Sequence, residues 1–152
     1  MEEEPVVSFS IEIDAPPARV FRHLADVATH PAWANPKAAM TMEQTAGDGP
    51  GPDSAYRSSG VFVGKPVTAD ISVTVYEPSR RFAIRSDQHQ EGKRDVWYVN
   101  DYTLTPAGTG TRLSKRVTSN GNRAIFSLAY PAIRSDQMTS LRNLKRLAES
   151  GG

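Results

Sequence analysis

The sequence predicts an α+β domain: a curved antiparallel sheet of about seven strands, with one long helix laid across its apolar face. Three observations carry this. A period-two strand opens the chain, strand-and-turn segments fill residues 54–119, and the last thirty residues change to a helical period. Val and Ile together number 18 against seven Leu, which favours strands. A chain of 152 residues suits one domain, expected over 1–152.

Each element follows from its local pattern. Val7, Phe9, Ile11 and Ile13 alternate with polar residues, a half-buried first strand. Asp14-Ala15-Pro16-Pro17 stops it, and proline suits a first helical turn, whose N–H groups have no partner in the helix. Val20, Phe21, Leu24 and Val27 then mark one face of a helix over 17–28. His30-Pro31-Ala32-Trp33 opens a second short helix, and Met40 and Met42 suggest a strand over 38–45. Ala46 to Asp53 holds three glycines and two prolines and reads as a loop.

The strands that follow are expected at 54–63, 67–77, 80–88, 93–105 and 111–119. Turns at 77–80, 90–93 and 106–110 separate the last four and imply an antiparallel meander. Phe126, Tyr130, Ile133, Gln137, Leu141, Leu144 and Ala148 share one helical stripe. Pro131 lacks an N–H and should break or kink that element, so the long helix is expected over 131–149, after a short turn.

Composition excludes several function classes. The chain has no cysteine, hence no disulfide, thiolate metal site or cysteine nucleophile, which fits a reducing compartment. Eighteen basic residues against 17 acidic ones, with interspersed signs, argue against nucleic-acid binding. The longest apolar stretch, Ala124 to Ile133, is ten residues and holds Ser127 and Pro131, too short for a membrane span. Met1-Glu2-Glu3-Glu4 is unlike a secretory leader. A cytoplasmic protein, monomer or homodimer, is expected.

Specific catalytic signals are missing. His23, His30 and His89 lie at no ligand spacing, so surface or capping roles are expected for all three, with no metal and no cofactor. No Gly-x-Ser-x-Gly elbow occurs. Gly47-Asp48-Gly49-Pro50-Gly51-Pro52 lacks the Lys-Ser/Thr ending of a phosphate loop, and its prolines remove donors.

In this order and spacing the chain resembles the START-like superfamily (SRPBCC), in particular its polyketide cyclase/dehydrase and lipid-transport branch. The resemblance rests on Ile11-Glu12-Ile13-Asp14-Ala15-Pro16, Val20-Phe21, Leu24, Asp26, His30-Pro31 and Trp33. Tyr102-Thr103-Leu104-Thr105-Pro106, Gly110-Thr111-Arg112-Leu113, and Leu141 with Asn143-Leu144-Lys145 complete it. It implies a helix-grip fold, in which sheet and long helix enclose a cavity for a hydrophobic ligand. It implies no reaction, since one fold hosts carriers, receptors, aromatase/cyclases and co-chaperone-like modules.

The residues themselves suggest where such a ligand would sit. Tyr and Trp join an apolar body to a polar tip, which suits a partly wet pocket. On the strand 93–105 the even positions Val96, Tyr98, Asn100, Tyr102 and Leu104 carry no charge and are placed inward, unless a bulge turns Trp97 in instead. On the strand 111–119 Lys115 lies between inward Leu113 and Val117, and is expected to snorkel to the rim. Tyr56, Ser58, Gly60 and Phe62 form another inward face, with Gly60 leaving open volume. Trp33 and Met40 would close one end, and Phe126 and Tyr130 would form a lid. The candidate ligand-binding residues are therefore Trp33, Tyr56, Tyr98, Asn100, Tyr102, Lys115, Phe126 and Tyr130, with no catalytic residue assigned. The leading reading is binding or transport of a small hydrophobic or aromatic ligand. A polyketide aromatase/cyclase and a protein-interaction module are the alternatives.

Overall fold

The computed structural model describes residues 5–62 and 64–151. Among them, seven strands form one antiparallel sheet: β1 Val7–Ile13, β2 Thr41–Ala46, β3 Ala55–Phe62, β4 Lys65–Glu77, β5 Arg81–His89, β6 Val96–Ala107 and β7 Gly110–Ser119. Their spatial order is β1-β7-β6-β5-β4-β3-β2. The meander therefore folds β7 back beside the first strand, with Val7 opposite Val117 and Ile13 opposite Thr111. Helix α1 (Pro17–Ala25) and 3-10 segments at Val27–Ala32 and Pro36–Ala38 link β1 to β2, and helix α2 (Arg123–Glu149) ends the chain. This is the helix-grip α+β architecture.

The sheet has one apolar face. Phe82, Ile84, Tyr102, Leu104 and Leu113 on it pack with Val20, Phe21 and Leu24 of α1 and with Leu141, Leu144 and Ala148 of α2 in one core. Charges gather on the other face, where Arg57 binds Asp70 at 3.0 Å and Arg81 binds Asp101 at 2.7 Å. Two glycines answer close approach: a Cβ at Gly110 would lie 2.5 Å from the Ile13 carbonyl oxygen, and one at Gly60 2.8 Å from that of Ala38. Gly60 thus makes room for the segment leading into β2 rather than leaving open volume.

Other boundaries differ from expectation. Helix α2 runs unbroken through Pro131. Asn122 caps it from upstream, its side-chain oxygen accepting from the N–H groups of Ala124 and Ile125. Pro131 and Ser127 are both exposed, so the Ser127 carbonyl that loses its partner can bond to water. Phe126 and Tyr130 consequently belong to the helix instead of preceding it. Helix α1 stops at Ala25, and Val27 starts the 3-10 segment. Strand β6 begins at Val96, because residues 93–95 still belong to the turn and Asp95 reaches back to His89 at 3.2 Å. Phe62 is exposed, and the predicted end of its strand at Val63 lies outside the described residues.

The two halves of α2 differ. Its buried residues are Ser140, Leu141, Leu144 and Ala148, all in the C-terminal half. The N-terminal half carries exposed Ile125, Leu128 and Tyr130. The helix thus grips the sheet at one end and touches it only through half-buried side chains such as Phe126 and Ile133 at the other. Leu144→Ala should cost about 2–5 kcal/mol in denaturant unfolding, the range for an enclosed leucine, while Leu128→Ala should change stability by less than about 0.5 kcal/mol, as for other surface positions.

Candidate functional site

Cross-strand register sets the interior. Lys115 lies opposite Phe9 on β1 and Tyr102 on β6, and Tyr102 lies opposite Phe82 on β5. The next inward row joins Val117, Asn100 and Ile84, and the next Ser119, Tyr98 and Ser86. The even positions of β6 face inward: Tyr102 and Leu104 are buried in the core. Trp97 lies on the outer face under the Arg85 guanidinium, 5.1 Å from its ring centre.

Lys115 departs most from expectation. Alternation with Leu113 and Val117 points it inward, but it does not snorkel: the residue is 5% exposed. Its rim route is blocked because α2 passes overhead. Nζ donates to Gln137 Oε1 at 2.5 Å and sits 5.1 Å from the centre of the Tyr102 ring. Desolvation favours a neutral amine and brings the Lys115 pKa from 10.5 to about 7. The same burial pushes the Tyr102 phenol well above its usual value.

His30 is also inside, not at the surface. Its Nε2–H donates to the Leu24 carbonyl oxygen at 2.8 Å, which leaves Nδ1 without the proton. Burial first, then the Lys115 charge, lower its pKa to about 4 against that hydrogen bond. The Trp33 ring packs 4.7 Å from the His30 ring. Trp33 is anchored through its backbone, its carbonyl accepting from Asn143 Nδ2 of α2 at 3.2 Å. Its indole Nε1 is buried with no hydrogen-bond partner, as is the Tyr56 hydroxyl. Buried polar atoms seldom lack partners, so these two stand out in an otherwise apolar core.

The candidate residues thus fall into groups. Trp33, Tyr56 and Tyr102 share the main core, with Lys115 against the Tyr102 ring. Tyr98 and Phe126, ring centres 6.4 Å apart, lie toward the free half of α2 beside Val6, Val7 and Val117. Asn100 is half-buried between these groups by register. Tyr130 is 41% exposed and borders an open groove of about 410 Å³ along α2 with Pro131, Arg134, Ser135, Met138 and Arg142. His30 and Gln137 were not among the expected site residues. Both had a signal: His30 continues the spacing of Leu24 and Val27, and Gln137 is the one amide on an otherwise apolar stripe.

Among the described residues, the buried polar ones are His30, Ser54, Ser58, Thr111, Lys115, Ser119 and Ser140, with no Asp or Glu. No cluster of the described residues could hold a metal ion. The arrangement offers donors and an uncompensated amine, not a carboxylate-based acid/base pair.

A pH prediction follows from Lys115. An unfolded lysine binds its proton below about 10.4, whereas the folded one stays neutral down to about 7. The unfolded state therefore holds more protons in that window, and stability falls as pH falls through it. The unfolding free energy of the native protein from urea titrations should drop between about pH 9 and 7, by up to about 1.4 kcal/mol per pH step of one. Lys115→Met should flatten that slope and be the more stable protein at pH 7. An unchanged slope would mean the amine is hydrated.

Known proteins share this architecture. The family model for polyketide cyclase / dehydrase and lipid transport matches residues 4–149. No curated protein matches the chain. Among solved structures, the di-domain ARO/CYC StfQ from the steffimycin biosynthetic pathway is similar with a TM-score of 0.74 and 13% identity, over 95% of this chain and 50% of that one. Protein TTHA0849 from Thermus thermophilus is similar at 0.69 and 21%, over 96% and 98%. Ara h 8.0201 is similar at 0.69 and 13%, over 95% and 97%. Identities this low show a shared fold.

Proposed function

We propose that this chain, which belongs to the polyketide cyclase / dehydrase and lipid transport family, binds a small hydrophobic or aromatic ligand between its sheet and α2. The observation that carries this reading is the pair of buried, unpartnered polar atoms, Trp33 Nε1 and the Tyr56 hydroxyl, inside an otherwise apolar core. A core meant only for packing gains nothing from leaving such atoms unpaired. The free N-terminal half of α2 supplies a way in.

In this reading Tyr102, Trp33 and Tyr56 form the deep wall, Tyr98, Asn100 and Phe126 flank the approach, and Tyr130 stands at the mouth. Apolar burial drives association at roughly 25 cal/mol per Å², less the ordering of ligand and side chains. The polar tips orient the ligand. The aromatase/cyclase alternative draws on the ARO/CYC neighbour and on Lys115. It is the weaker reading, because the buried polar set lacks a carboxylate and the His30 Nε2–H is already committed to Leu24.

Mass spectrometry of native protein, followed by denaturing extraction, should reveal co-purified apolar small molecules. An environment-sensitive fluorescent probe should bind, and Trp33→Ala should weaken it by about tenfold or more, a ~1.4 kcal/mol loss. Turnover of a poly-β-ketone substrate lost selectively in a folded Lys115→Met protein would put the enzyme reading first.

A further inference from the structure

Lys115 faces the interior without a counter-charge. Its neighbours on every packed element are neutral or aromatic: Phe9 on β1, Tyr102 on β6, Gln137 on α2, and His30, kept neutral by its burial. Nearby carboxylates are engaged elsewhere. Asp101 pairs with Arg81 at 2.7 Å on the outer face, Glu12 with Arg112 at 3.4 Å, and Asp136 with Lys37 at 3.2 Å. A buried amine with a single hydrogen bond and no counter-charge is an expensive feature to keep in a core.

Its position fits recognition. Gln137 lies one turn before Ser140, where the burial of α2 begins, so Lys115 sits at the inner end of the open half of the helix. The rows of Asn100 and Tyr98 continue from it toward the free end of the sheet, spanning roughly 13 Å from Tyr102 to Tyr98 at strand rise.

We propose that Lys115, assisted by Gln137 and the face of Tyr102, is an anion site that takes the carboxylate of an apolar monocarboxylic acid, with the acid's body lying along Asn100, Tyr98 and Phe126. This rests on the ligand-binding reading above and names the class of ligand. One amine balances one negative charge, whereas a phosphate monoester would bring a second charge into the core with nothing to meet it. The Gln137 side chain turns its amide N–H toward a carboxylate oxygen, so both polar groups donate. The proton balance is simple: the carboxylate enters as the anion, one proton from solvent goes to Nζ, and the pair is buried as ammonium and carboxylate. No bond is made or broken in the ligand.

Isothermal titration calorimetry with decanoate, decanol and methyl decanoate tests this. Native protein should bind decanoate at least about tenfold more tightly than either neutral probe. At about pH 8, where the amine is mostly neutral, titrations in buffers of different ionisation enthalpy should show close to one proton taken up per decanoate and none per decanol. Lys115→Met should lose both the preference for the acid and the proton uptake, its affinities for decanoate and decanol coming within about threefold of each other, and Gln137→Leu should weaken that preference while keeping the proton uptake. Equal affinities for acid and alcohol in the native protein, or a preference that survives in Lys115→Met, would overturn the carboxylate site while leaving the ligand-binding reading in place. Failure of all three probes to bind native protein would overturn both.

Discussion

The grip of one half of α2 on the sheet governs everything else in this molecule. Leu141, Leu144 and Ala148 are fully enclosed against the inner face. Secondary ties hold the same end: the Asp14 N–H donates to Glu149 at 2.7 Å, Lys145 donates to the Glu12 carbonyl at 3.0 Å, and Asn143 holds Trp33. With that end fixed, the rest of the helix is a cantilever. It needs only its Asn122 cap and a few half-buried contacts, such as Phe126 and Ile133 against Val117. Its apolar stripe is therefore divided between a sealed portion that provides stability and an open portion that leaves the inner face reachable.

Sheet topology makes that division possible. Pairing β1 with β7 places Phe9 beside Lys115 and brings residues from opposite ends of the sequence onto one wall. The same antiparallel order collects the end of β3, the β5–β6 turn and the start of α2 at one end of the sheet. Gln90 links the first two, its Nε2 donating to the Phe62 carbonyl at 3.0 Å. The opposite end is closed by α1, whose Phe21 meets the edges of Tyr76 and Phe82 at 5.2 and 6.0 Å.

Most of the fold was legible because it is periodic. Alternation in β1 and along β4, and the stripe from Gln137 to Ala148, are visible without coordinates, and so is the inward parity of β6. What stayed hidden depends on tertiary placement. Pro131 reads as a helix breaker, yet its position on an exposed flank lets water serve the carbonyl it frees. Glycine in a strand reads as open space, but at Gly60 the space is taken by Ala38. Lys115 reads as a residue that escapes to water, and only the passage of α2 above it closes that route. His30 reads as a cap, although its spacing from Leu24 and Val27 already carries it toward the core.

The contrast between the two faces of the sheet gives the site its meaning. On the outer face Arg57, Asp70, His89 and Asp95 form a chain of contacts, and Arg81 with Asp101 a forked pair. Charges there are matched although solvent makes each match worth only about 0–1 kcal/mol. On the inner face, where each mismatch is far more expensive, Trp33 Nε1 and the Tyr56 hydroxyl are unpaired and Lys115 lacks a counter-charge. A sequence shaped by stability alone would show the reverse. Local violations of packing logic concentrate where a protein must hold something other than itself. Here all three polar departures lie inside the fold, and none lies on the outer face of the sheet.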